Sequence, residues 1–312
     1  MRSLLLMIFL VAALFAPPAV CAVSPVVAAS IAPLHAIAAY VAHGAHDVTL
    51  ILPPNASVHG YHLKPSQMGI LARADVVFYG GEALEAFMPK ALLAANRQNG
   101  VALMSYPQIE KLPARSDAHA HAAHDSGVPA ADFETDGHFW FSLENAAQTA
   151  LIMADVLSAK FPEHAAIYRR NADEFARRAR AMKDALKQDF APYKNRPYLV
   201  SHDAFQYFEK DAGITPAAFV TPDAERAQIG VRRMARLREL IRRVQPVCLF
   251  TEAGQNAKFT APLTEGLRVY GGVLDPTGAS IQTGRDFYFD LIHALRRDLI
   301  ECLEQLPESD RQ

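Results

Sequence analysis

Residues 163–189 read EHAAIYRRNADEFARRARAMKDALKQD, with neither Gly nor Pro and with charges of both signs interleaved throughout. Pro162 stands just before the run and Pro192 just after it. A helix of this length extends ~40 Å, enough to span a whole small protein. What lies on either side of it decides the fold. On the N-terminal side, short apolar runs at 26–31, 48–52, 75–79 and 101–104 read as strands. Helical patterns at 34–41, 64–72 and 82–98 separate them. Ser142 opens another helix, with Asn145 at its third position, running to about residue 160. On the C-terminal side, strands are expected at 198–201, 218–220, 247–251 and 272–274. Helices at 205–212, 225–244, 258–266 and 287–306 follow them in turn. Strands without clean alternation, separated by helices, imply parallel sheets covered on both faces. The fold class is therefore α/β, with two lobes joined by one long rigid helix. Each lobe is a mostly parallel β-sheet flanked by helices. The boundaries expected are 23–141 for the first lobe, 142–190 for the helical segment and 191–312 for the second lobe.

The chain has 312 residues, 31 Lys+Arg against 33 Asp+Glu, and 51% hydrophobic residues. That apolar content is ample for a core and excludes a disordered chain. The absence of a basic excess excludes a nucleic-acid binder that works by neutralising phosphates. Met1-Arg2-Ser3 followed by an uncharged apolar run to Ala16, then Pro17-Pro18 and small residues around Ala22, has the layout of a signal peptide over 1–22. The run is too short for a spanning helix. Cleavage after Ala22 removes Cys21, although a lipoprotein would instead carry its lipid there. Cys248 and Cys302 remain, and an even pair in an exported protein points to a disulfide, the alternative being two buried thiols.

Twelve His is a high count. Three of them and one Asp follow expected strands or the long loop: His59, His138, His202 and Asp275. In open α/β sheets ligands bind at the carboxyl ends of the strands. Imidazoles suit zinc, and a carboxylate can complete a four-coordinate site. The four are far apart in sequence, so spacing alone makes no local metal motif. His62 is read as structural. Residues 105–137 form a polar loop without periodicity, and within it Asp117–Asp125 carries His119, His121 and His124.

The segments His59-Gly60-Tyr61-His62-Leu63-Lys64-Pro65-Ser66, His138-Phe139-Trp140-Phe141-Ser142, Ser201-His202-Asp203-Ala204-Phe205 and Leu274-Asp275-Pro276 resemble the zinc and manganese solute-binding proteins of bacterial ABC importers, above all the periplasmic zinc-binding members. The resemblance runs over nearly the whole mature chain. It implies His59, His138 and His202 as metal ligands, with Asp275 or water in the fourth position. Some zinc-binding members carry Glu directly before the first ligand, where this chain has Val58. Imidazole at His202, where manganese-binding members tend to carry Glu, favours Zn2+ over Mn2+. The Cys248–Cys302 pair also resembles a disulfide of the family. The 119–124 tract matches the place of a His-rich loop and implies a weak second metal site.

The resemblance also implies a periplasmic, monomeric carrier that captures zinc between its lobes and docks on an ABC-type permease, without catalysis. Two other readings stay open. An exported zinc hydrolase would use Glu252, at the end of its strand, as general base. A metal-binding adhesin would use the same scaffold on a cell surface.

Overall fold

The computed structural model describes residues 25–54, 56, 61–115, 135–221, 230–253 and 260–305. The expected signal segment 1–22 lies outside them, as does Cys21. In the first half, β1 (Val27–Ala29), β2 (Val48–Leu50), β3 (Val76–Tyr79) and β4 (Gly100–Ala102) form one sheet in the order β2-β1-β3-β4, every neighbour parallel. In the second half, β5 (Tyr198–His202), β6 (Ala218–Thr221), β7 (Cys248–Glu252) and β8 (Tyr270–Leu274) form another, in the order β6-β5-β7-β8 and again parallel. The central strands β1 and β3 are buried at every position. Both of their faces are covered, so their sequences, VAA and VVFY, show no polar alternation.

The helices α1 (Ala32–Ala42), α2 (Pro65–Arg73) and α3 (Met88–Ala94) lie between the strands of the first sheet. In the second sheet that place belongs to α6 (Gln206–Ala212), α7 (Val231–Val244) and α8 (Ala261–Thr264). The helix α9 (Phe287–Leu303) follows β8. Two starts follow side-chain chemistry. The Lys64 amide donates to Gln67 Oε1 at 2.7 Å at the head of α2. The Ser142 hydroxyl accepts from the Asn145 amide at 3.3 Å at the head of α4 (Leu143–Lys160), where a cap was expected. The helix expected over 82–98 is shorter, because Pro89 lacks an amide hydrogen and fits only in a first turn. The helix expected from 225 is described from Val231, and the one expected over 258–266 from Ala261; residues 222–229 and 254–259 lie outside the described part.

Between the two sheets runs α5 (Ala165–Phe190), 26 residues long, or ~39 Å. It packs along α4 and also touches α1, α6 and α9, so it is bound to both halves. At the junction Phe175 of α5 lies 5.3 Å from the Tyr40 ring of α1 and 4.9 Å from the Phe289 ring of α9. The Arg178 guanidinium sits 3.9 Å over Phe289. Each buried aromatic stabilises the junction by roughly 1.5–3 kcal/mol. The expected disulfide between Cys248 and Cys302 is present, tying β7 to α9. Among the described residues no helix is long and apolar enough to cross a membrane.

Candidate metal centre

His202 is the last residue of β5 and is 3% exposed. Strands β5 and β7 are parallel neighbours with Val200 opposite Phe250. Two residues further on, His202 therefore stands opposite Glu252, and both point to the same side of the sheet. The result is a contact of 2.6 Å between His202 Nδ1 and Glu252 Oε1. His138 belongs to the short segment between the long loop and α4. Its Nδ1 lies 2.8 Å from Asp136 Oδ1, and its own amide donates to the same oxygen at 2.9 Å. Gly137 is closely packed there, since a Cβ would stand 3.0 Å from both the Ala83 carbonyl oxygen and Leu84 Cβ. A carboxylate on Nδ1 holds the ring proton there and makes Nε2 the nitrogen with the lone pair.

The two rings come together. Their centroids are 5.1 Å apart and their planes are inclined at 75°. Two imidazoles that share one tetrahedral zinc through Zn–N bonds of 2.0–2.1 Å have centroids about 5 Å apart. The Trp140 ring, 5.3 Å from His138, closes one side. His59 lies outside the described residues, and so do His119, His121 and His124. Among the described residues no group of three or more His, Cys, Asp or Glu side chains converges as a metal site.

Asp275 follows β8, and β7 stands between β8 and β5. Its backbone is therefore about 10 Å from that of His202. Its Oδ1 accepts from the Gly278 amide at 2.8 Å, and its Oδ2 accepts from the Ser280 amide and hydroxyl, both at 3.0 Å. Burial disfavours the charged carboxylate, but the amides of 278–280 outweigh it and hold its pKa below the usual value. His62 is exposed, beside the Lys64–Gln67 cap.

A charged cluster adjoins the imidazole pair. Arg115, within the 105–137 loop, donates from Nε to Asp203 Oδ2 at 3.0 Å and pairs through Nη2 with Asp203 Oδ1. The same Nη2 lies 2.8 Å from Glu209 Oε2. Burial pushes the Glu209 carboxyl up to about 7, against the pull of Arg115. The Tyr207 hydroxyl accepts from the Leu112 amide at 2.8 Å on the same side of the loop and donates to the Asp136 carbonyl, at the loop's other end, at 3.0 Å. Both ends of the loop are thus fastened to the segment that follows His202. Sequence reasoning did not find Asp136 or Arg115. The first has a weak signal two positions before His138. The second has none, because its partners lie about ninety residues away.

The family model for ZnuA, the periplasmic component A of a zinc-uptake complex, matches residues 27–302. The chain belongs to the ZnuA family. It is 30% identical over 307 residues to the high-affinity zinc uptake system protein ZnuA of Brucella suis biovar 1 (strain 1330), covering 89% of this chain and 92% of that protein. The ZnuA protein of Yersinia pestis is 29% identical over 293 residues, covering 90% and 92%. A ZnuA crystal structure superposes with a TM-score of 0.75 at 20% identity, covering 90% of this chain and 100% of that one. At that identity the superposition bears on the fold, and it agrees with two parallel-sheet lobes about a long helix.

Proposed function

We propose that this ZnuA-family chain captures Zn2+ between its two lobes in the periplasm and delivers it to an ABC-type membrane permease. The observation that carries the reading is the His138–His202 pair, two buried rings 5.1 Å apart, each held at Nδ1 by a carboxylate. Neutral imidazoles in that tautomer offer Nε2 to a borderline metal, and a nitrogen-rich set suits zinc better than manganese. His59, between β2 and α2 in sequence, is the third imidazole of the proposal. Asp275 is the protein-side candidate for the fourth position. Its carboxylate is engaged with 278–280, so a metal would have to draw it from that loop, and water is the other occupant. His119, His121 and His124 form the proposed weak second site.

Binding requires unprotonated rings, so acidification weakens it. The long helix and the aromatic junction restrict hinge motion, so capture proceeds by small adjustments at the strand ends. The hydrolase reading needs Glu252 beside a metal-bound water, whereas its Oε1 lies against His202 Nδ1. The test is a titration of metal-free protein with Zn2+ and Mn2+ against a chelator. One tight zinc equivalent, weakened by orders of magnitude in His138→Ala and His202→Ala, is the expected result. Parent-like zinc binding in both variants would sink the site assignment, and a manganese preference would sink the cargo.

A further inference from the structure

The chain as a whole is slightly acidic, yet α7, VRRMARLRELIRRV, holds six Arg and a single Glu. Its apolar side is accounted for. Leu237 and Ile241 are buried in a small core with Leu199, Val220, Leu249 and Leu263. Two of the arginines turn back to the protein. Arg233 Nε donates to the Val220 carbonyl at 2.9 Å, and Arg238 Nη2 donates to the Glu265 carbonyl at 2.9 Å. Arg232, Arg236 and Arg243 do neither. All three are exposed. At 3.6 residues per turn they fall within about 40° of one another around the helix axis, along about 16 Å of its length. They form one solvent-facing stripe, interrupted only by Glu239. Val231, 87% exposed, begins the same helix.

A row of like charges on one helix face disfavours the isolated protein. It is compensated where an anionic partner meets it. Guanidinium groups bind phosphate in bidentate fashion, and a stripe without a pocket reads charge rather than shape. A layer of phospholipid headgroups presents charge in that form. We propose that the α7 stripe seats the protein on anionic phospholipid headgroups, holding it at the membrane surface. This goes beyond the zinc reading, because the stripe shares no residue with the metal centre.

The test uses the full mature protein and vesicles of phosphatidylcholine with or without 30% phosphatidylglycerol, a lipid fraction chosen on the order of that in anionic membranes. Co-sedimentation at low salt should show binding to the anionic vesicles only, lost as ionic strength rises. Each arginine near such a surface contributes about fivefold, so R232Q/R236Q/R243Q should lose roughly 100-fold in partition, and the corresponding triple Lys variant should keep most of it. Zinc titration of the same preparations should be unchanged, which separates this proposal from the zinc reading. Equal binding to neutral vesicles, or parent-like binding by the Gln variant, overturns the proposal. So does capture by detergent-solubilised permease through the same arginines with no vesicle binding.

Discussion

Glu252 offers the sharpest test of how the imidazoles are prepared. Its Oε1 is 2.6 Å from His202 Nδ1, the short distance of a charge-assisted hydrogen bond, which is roughly twice as strong as a neutral one. In Glu252→Gln the amide oxygen still accepts from Nδ1–H, but the charge that raises the ring's basicity is gone. In Glu252→Ala the ring also loses its orientation and its preferred tautomer. Losing a carboxylate behind a ligating His costs about 10- to 100-fold in metal affinity, or about 1.4 to 2.7 kcal/mol. The Gln variant should fall near the lower end and the Ala variant near the upper. Chelator competition measures the affinity, and thermal unfolding of the metal-free variants checks that the fold is kept. Zinc affinity within twofold of the parent in both variants would refute the reasoning.

Three further outcomes follow from buried charge and from the loop. Glu85, fully buried, has its carboxyl pushed up to about 7 by desolvation, against the hydrogen bond that its Oε2 accepts from the Gly80 amide at 2.6 Å. The folded state therefore holds more protons than the unfolded chain between about pH 4.5 and 7, and this group removes up to about 3 kcal/mol as pH rises through that window. His35, lowered by burial, opposes it, so urea midpoints at pH 5 and 8 are compared between the parent and Glu85→Gln. The variant should lose less on going to pH 8, and an identical pH response would contradict the assignment. Arg115→Met strands the buried carboxylates of Asp203 and Glu209 and should cost about 3–5 kcal/mol in denaturant unfolding; a loss below 1 kcal/mol would show the pair to be dispensable. Deleting residues 117–125 should leave the tight zinc site intact and remove only weak binding, since the loop's ends are fastened at Leu112, Arg115 and Asp136; loss of tight binding would reverse that division.

Much of the fold was legible because its strands are buried on both faces and its long helix lacks any breaker. Runs such as VVFY and the residues of α5 announce themselves without tertiary information. The shortened α3 was misjudged because the run over 82–98 was read through Pro89 rather than started at it. At the site, His138 and His202 could be picked out as residues that end or follow elements, and the described structure brings those two together. What could not be read was the preparation of the rings. The roles of Glu252 and Asp136 depend on strand register and on a two-residue turn, and that of Arg115 depends on a contact across the molecule. Asp275 shows the same limit, since its residue type suits a metal while its oxygens are committed to the amides of its own loop.

The central claim is that zinc sits between the lobes on the Nε2 atoms of His138 and His202, with His59 as third partner. Anomalous scattering at the zinc edge from crystals of the loaded protein measures this directly. The account predicts a single strong peak ~2.0–2.1 Å from Nε2 of both rings, with Asp136 and Glu252 still on the Nδ1 atoms. A peak bound through Nδ1, or one at a place that neither imidazole reaches, would contradict it.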